Sequence, residues 1–258
     1  MDLGLKDKVV VVTGGASGIG KGILLALIGE GAVPCILDRN DTAINACMDE
    51  LGTLGEKVIP LKVELTNEES CKKAIKDILN RTGKIDALVN NAGTNDGVGL
   101  EHESPLKFYG SLENNVGHYY LMTHLCLPFL KESKGSIVNI VSKTYTTGQG
   151  GTSGYAAANG ARVSLTEHWA REFEEYGISV HAVVVAECWT PQYESWISKR
   201  DNPQETLQDI NSKIPLENRM TTVEELADTT LFLLSNKSSI SSGQAIFIDG
   251  GYVHLDKA

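Results

Sequence analysis

The sequence predicts an α/β fold: a doubly wound parallel sheet of about seven strands, with helices on both faces. Short apolar runs recur along the chain, amphipathic stretches of helical length separate them, and a glycine-rich turn follows the first run. The runs at 9–13, 33–38, 58–63, 85–90, 135–141, 178–185 and 244–248 are rich in Val and Ile and show little polar alternation. That is the pattern of strands covered on both faces. Between the runs, Ile23, Leu24, Leu27 and Ile28 form one apolar stripe and Ala74, Ile75, Ile78 and Leu79 another, at the spacing that turns one helix face toward a sheet.

A chain of 258 residues with 41% hydrophobic content fits one large domain over 1–258, and no repeat, low-complexity tract or linker divides it. The segment 148–154 holds four glycines and is too short for an interdomain spacer, so it reads as an active-site loop. After the sixth run, 189–215 breaks the strand-helix rhythm and is rich in charge. Open α/β sheets carry ligand-covering structure there, and the segment is expected to be a substrate lid.

The formal charge of −10, with basic residues scattered along the chain, disfavours nucleic acid and anionic membranes as partners and favours a small molecule. No apolar run approaches the roughly 20 residues of a membrane span, and residues 1–7 lead into the first strand without a charged and apolar leader. The five cysteines are widely spaced, which argues against a disulfide framework or a CxxC metal site. A cytoplasmic protein with reduced thiols is expected. The six histidines form no HxH or HExxH group, so no metal is expected.

Gly14, Gly18 and Gly20 follow the first strand where the backbone must turn sharply and let a pyrophosphate approach the amides that open a helix. Gly15 to Lys21 also fits the start of a P-loop. Position 22 is Gly, however, so the hydroxyl that would ligate magnesium is missing and that reading fails. Asp38 ends the second strand, at the right distance to accept hydrogen bonds from an adenosine ribose and to repel a 2′-phosphate. NAD is therefore expected rather than NADP, with Arg39 as the one residue able to reach toward such a phosphate.

The turn Thr13-Gly14-Gly15-Ala16-Ser17-Gly18-Ile19-Gly20, the element Asn90-Asn91-Ala92-Gly93, and Ser142 followed by Tyr155 together resemble the short-chain dehydrogenase/reductase family. The resemblance implies a Rossmann-type fold and a nicotinamide cofactor. Gly14, Ser17, Gly18, Ile19 and Gly20 would lie along that cofactor, Asp38 and Arg39 at its ribose, Glu64 and Leu65 near its adenine, and Asn91, Ala92 and Gly93 beside it. It also implies that Tyr155 exchanges a proton with the substrate oxygen, that Ser142 holds that oxygen, and that Asn115 anchors the proton relay. Relatives form homotetramers through the helices that hold Asn115 and Tyr155, and the tail 251–258, with Tyr252 and His254, is expected at such a contact.

The family's lysine, one helical turn past the tyrosine, falls here on Asn159. A free phenol ionises near pH 10, so working near neutrality asks for roughly 4 kcal/mol of differential stabilisation. Asn159 brings no charge, although its amide could still bond the nicotinamide ribose or a relay water. Turnover is therefore expected to lie roughly 10- to 1000-fold below that of an Asn159→Lys variant. Lys143 is the only nearby rescuer by sequence, and as the neighbour of Ser142 it is expected to point to the other face.

The run from Asn90 to Asp96, the segment 142–155 and the ending 249–256 resemble sugar-oxidising members of the family similar to L-fucose dehydrogenase. Asn95, Asp96, Lys143, Thr144, Gln149 and Glu187 would set polar partners around a polyol, each of whose buried hydroxyls needs one. Glu187 stands where most relatives have no side chain, and Thr190 would face the nicotinamide amide. Trp189, Tyr193 and Trp196 could stack on a sugar ring. Lys143 and Arg162 leave room for a carboxylated substrate, so the alternative enzyme is a reductase of uronate-derived keto acids. A further alternative is a non-catalytic dinucleotide-binding module.

Overall fold

The computed structural model describes residues 1–255; the last three positions of the tail, Asp256, Lys257 and Ala258, lie outside the described residues. Seven parallel strands form one sheet: β1 (Val9–Thr13), β2 (Val33–Asp38), β3 (Ile59–Lys62), β4 (Ala87–Asn90), β5 (Ser136–Ser142), β6 (Ser179–Val185) and β7 (Ala245–Ile248), in the order β3-β2-β1-β4-β5-β6-β7. The helices are α1 (Gly18–Gly29), α2 (Asp41–Leu51), α3 (Glu68–Thr82), α4 (Pro105–Leu112), α5 (His118–Ser133), α6 (Ser153–Glu172), α7 (Pro191–Ile197), α8 (Pro203–Ser212) and α9 (Val223–Leu234). Every residue of β1 and β6 is buried, as β-branched strands between two helix layers must be. The expected strands recur within one or two residues at each end.

The two faces of the sheet build separate cores. On one, Val9, Val11, Leu88 and Ile137 pack against Ile75, Ile78, Met122 and Trp169 of α3, α5 and α6. On the other, Val10, Val12, Val138 and Val183 meet Ile23, Leu27, Leu226 and Leu231 of α1 and α9. Alternate side chains of each strand thus feed opposite layers, which is why the strand sequences are apolar throughout.

Local signals fix the helix ends. Asn67 caps α3 by accepting from the Ser70 amide, Glu68 and Glu69 occupy its positively polarised first turn, and Gly83 closes it in the left-handed conformation. Thr222 and Glu225 form a reciprocal capping box at the start of α9. The strand order reverses between β1 and β4, so the crevice at their carboxyl ends is where such a sheet opens to a ligand.

Candidate active site

A cavity of about 430 Å³ opens at that crevice. Gly14, Ser17, Gly18 and Ile19 line one end with Asp38 and Arg39, and Glu64 and Leu65 stand nearby. Asn91, Ala92 and Gly93 line its middle, Ser142 and Tyr155 its other end, and Tyr193 and Thr190 also line it, Thr190 standing beside Gly18. Asp96 also faces it.

The loop after β1 is held by its neighbours. Asn91 Nδ2 donates to the carbonyls of Thr13 (2.9 Å) and Gly14 (3.1 Å), while Thr13 Oγ1 accepts from the amides of Asn91 (2.9 Å) and Ala92 (3.1 Å). Asp38 accepts from the amides of Ala16 (3.4 Å) and Asn40 (3.0 Å), which ties the end of β2 to the same loop. Gly20 lies behind the loop rather than on the cavity wall. A Cβ there would stand 2.1 Å from the Gly14 carbonyl oxygen, so only glycine lets α1 start this close to β1. Ser17 makes no side-chain cap to α1, which leaves the opening amides of the helix to an outside acceptor. This cradle, open to an anion and flanked by Asp38, fits a dinucleotide.

At the other end, Ser142 closes β5 and its Oγ accepts from the Thr144 amide at 3.3 Å, so its own proton is available to a substrate oxygen. Tyr155 lies in the first turn of α6, beside Arg162, which also lines the cavity. The turn Glu113–Gly117 is π-helical, an interruption of the ordinary backbone ladder, and the Asn115 carbonyl within it accepts from Arg162 Nε at 2.7 Å and also from Nη2. The Asn115 side chain bonds the Thr94 amide (2.8 Å) and the Ser111 carbonyl (3.0 Å). It therefore anchors the loop after β4, and the main-chain oxygen of Asn115 holds the Arg162 guanidinium.

Asn159 is 0% exposed and stands behind the cavity wall. Its Oδ1 accepts from the Ser142 amide (2.7 Å) and Arg162 Nη1 (3.1 Å), and its Nδ2 donates to the Tyr155 carbonyl (2.8 Å). The expected contact with a ribose is thus corrected: the amide locks α6 to β5. Lys143 and Glu187 form a buried ion pair with each other, and Tyr193 Oη donates to Glu187 at 2.8 Å. Lys143 Nζ also lies 3.6 Å from the centre of the Tyr252 ring. Neither member of the pair lines the cavity, because each satisfies the other.

Five more expected contacts stand off from the cavity. Thr144 is buried under β5, Gln149 is exposed on its loop, and Asn95 Oδ1 accepts from Thr152 Oγ1. Trp189 and Trp196, each 42% exposed, pack on either side of Tyr193, with ring centres 6.2 and 5.4 Å from its own, and of the three only Tyr193 reaches the cavity wall. Thr190 caps α7 by accepting from the Tyr193 amide at 3.2 Å.

The structure adds groups not singled out as site residues from the sequence. Gln192 Nε2 donates to Thr94 Oγ1 at 3.2 Å and so joins α7 to the opposite wall. His118 lines the cavity with its Nε2 at 3.1 Å from the Asn114 carbonyl; burial, helped by the Arg162 charge, pushes its pKa down to about 3. The sequence suggests Arg162 only as a contact for a substrate carboxylate. Counting seven residues from Tyr155, two helical turns, would have placed it on the tyrosine's face.

A family profile described as short chain dehydrogenase matches residues 8–201. The 3-oxoacyl-(acyl-carrier-protein) reductase FabG of Thermotoga maritima is 33% identical over 250 residues, covering 96% of this chain and 99% of that protein. L-fucose dehydrogenase of Bos taurus is 32% identical over 246 residues, 95% of this chain and 88% of that protein. Among solved structures, Cj0485 dehydrogenase superposes with a TM-score of 0.95 at 44% identity, covering 100% of this chain and 98% of that one. With the glycine cradle, Ser142 and Tyr155 gathered in one crevice and the likeness spanning nearly the whole sequence, this chain belongs to the short chain dehydrogenase family.

Proposed function

We propose that the chain is an NAD(H)-dependent oxidoreductase that moves a hydride between nicotinamide and a sugar hydroxyl or carbonyl, with oxidation of an L-fucose-like aldose favoured. Membership of the family makes it an oxidoreductase acting on CH–OH groups, and nicotinamide cofactors are typical there. The observation that carries the reading is that one cavity joins the glycine cradle and Asp38 to Ser142 and Tyr155. A bound nicotinamide dinucleotide supplies the hydride acceptor or donor. Gly14, Ser17, Gly18 and Ile19 would hold its phosphates and Asp38 its adenosine ribose, with Arg39, Glu64, Leu65 and Thr190 alongside. Ser142 Oγ orients the substrate oxygen, and Tyr155 Oη takes the hydroxyl proton during oxidation or returns it during reduction.

Asp38 favours NAD, since its carboxylate at the mouth of the cradle opposes a 2′-phosphate. The neutral sugar is favoured over a keto acid because Lys143 is paired with Glu187 and the N–H donors of Arg162 are taken by main-chain carbonyls and Asn159, so neither offers a hydrogen-bond donor to a carboxylate. The similarity to L-fucose dehydrogenase supports the same choice. Segment 189–215 serves as the lid, with α7 bordering the cavity and Gln192 bonded across it. Five buried free thiols fit a reducing cytoplasm. A homotetramer would cover Tyr109 and Tyr120, exposed on α4 and α5, and light scattering tests it.

The direct experiment is a panel of aldoses and ketouronates assayed with NAD(H) and with NADP(H). L-fucose or a close relative oxidised with NAD is the expected result. Activity confined to keto acids, or a specificity constant favouring NADP, would refute the reading.

A further inference from the structure

Arg162 is 2% exposed, and its guanidinium is fixed on every side. Nε and Nη2 donate to the Asn115 carbonyl, and Nη1 donates to the Ile140 carbonyl (3.2 Å) and Asn159 Oδ1 (3.1 Å). Its plane lies over Tyr119, 4.2 Å from the ring centre, and Cζ is 6.0 Å from the centre of the Tyr155 ring. Space is kept for it by Gly93, where a Cβ would come within 2.7 Å of Nη2. All of these partners are neutral, and among the described residues no carboxylate forms an ion pair with it.

A buried cation held only by neutral groups is costly unless an anion forms beside it. The anion that proton exchange creates at this place is the phenolate of Tyr155. The other ionisable groups around the two residues do not supply the positive charge. His118 is held neutral by burial, and Tyr119 by a strongly raised pKa of the same origin. Asp96 is acidic, Tyr193 is bonded to Glu187, and Lys143 is paired with Glu187.

We propose that Arg162 is the positioning residue that does the work of the absent lysine: its guanidinium, one turn beyond Asn159, stabilises the Tyr155 phenolate from within the fold. The inference rests on the proton-exchanging role of Tyr155 given under the proposed function. On oxidation, the Tyr155 phenolate oxygen would take the substrate O–H proton while a bound nicotinamide would supply the acceptor for the carbinol hydride, leaving a carbonyl; reduction would be the reverse. Asn159 orients Arg162 through Oδ1 and orients Ser142 through the same atom. The activity deficit expected from Asn159 then does not follow, because the charge has moved one turn along α6 instead of being lost.

The test uses ultraviolet titration of tyrosinate in the protein without cofactor, together with pH profiles of NAD-linked L-fucose oxidation. Tyr155→Phe identifies the ionisation that belongs to the site. Arg162→Gln is expected to move that ionisation, and the acid limb of the rate profile, upward by about one pH unit or more, and to lower turnover at neutral pH about tenfold or more. Arg162→Lys retains most of the activity. The double change Asn159→Lys with Arg162→Gln restores the profile, which a purely structural arginine would not permit.

Asn159→Lys alone sets a second cation against the first and is expected to lower the melting temperature without raising turnover. If Arg162→Gln fails to fold by circular dichroism, Arg162→Lys decides the question: an acid limb of the rate profile kept in place supports the proposal, and a folded Arg162→Lys whose turnover at neutral pH falls tenfold or more overturns it. The proposal is overturned if Arg162→Gln folds and leaves the tyrosinate ionisation in place, or if Asn159→Lys alone raises turnover tenfold. Absence of sugar oxidation in every variant would count against the proposed substrate, while the titration still decides the role of Arg162.

Discussion

The side-chain oxygen of Asn159 accepts the backbone amide of Ser142 at 2.7 Å, so α6 and the end of β5 are joined at the residue proposed to hold the substrate oxygen. Removing that oxygen by Asn159→Ala strands the Ser142 amide and takes one of the two acceptors of Arg162 Nη1, which keeps the Ile140 carbonyl. An orphaned donor costs about 1 to 3 kcal/mol, and a loss of that size in urea unfolding is expected. A loss below about 1 kcal/mol would mean that the joint is not a structural one.

The NAD preference proposed for the chain rests on the charge of Asp38. Replacing it with Ala removes a repulsion against a 2′-phosphate that, screened at the mouth of the cavity, amounts to about 1 to 2 kcal/mol. The ratio of kcat/KM for NADP over NAD should rise about five- to thirtyfold. An unchanged ratio would assign the preference to Arg39 or to the loop itself.

The sheet was legible because covered parallel strands need apolar residues on both faces, and the seven runs carried that mark without help from tertiary context. The cradle was legible because glycine is demanded by backbone clearance, as at Gly20. The substrate wall was less so. Lys143 and Glu187 read as two polar contacts for a ligand, and nothing in a spacing of 44 residues reveals that they neutralise each other. Trp189 and Trp196 likewise meet Tyr193 through a helix whose facing only packing decides. Arg162 was within reach of helix periodicity, but its burial depends on the Asn115 carbonyl, a long-range partner that the local pattern does not encode.

His118 gives the stability a defined acid dependence. Its pKa in the folded chain is pushed down to about 3, first by burial and then by the Arg162 charge, whereas an unfolded histidine titrates near 6.5. The unfolded state therefore binds the extra proton, and the contribution to stability is complete above about pH 6.5 and lost as pH falls toward 3. Between pH 7 and pH 5 the parent should lose about 2 kcal/mol more than His118→Asn, read from urea unfolding at the two pH values. Parallel losses in both proteins would show that the imidazole does not remain neutral on folding.

The ion pair of Lys143 and Glu187 joins the end of β5 to the segment that leads into α7, and its side chains are only 7% and 15% exposed. Glu187→Gln leaves the ammonium buried, facing a neutral amide and the Tyr252 ring, and a destabilisation of about 3 kcal/mol is expected. Lys143→Met leaves the carboxylate with Tyr193 Oη alone, at a similar cost. The double variant removes both charges, so its loss should fall below the sum of the single losses by at least about 1 kcal/mol. Because Tyr193 lines the cavity and depends on Glu187 for its hydroxyl contact, Glu187→Gln should also raise KM for the sugar more than it lowers kcat. Additive stabilities in the cycle would show that the two charges do not depend on each other, and an unchanged KM would uncouple the pair from the shape of the pocket.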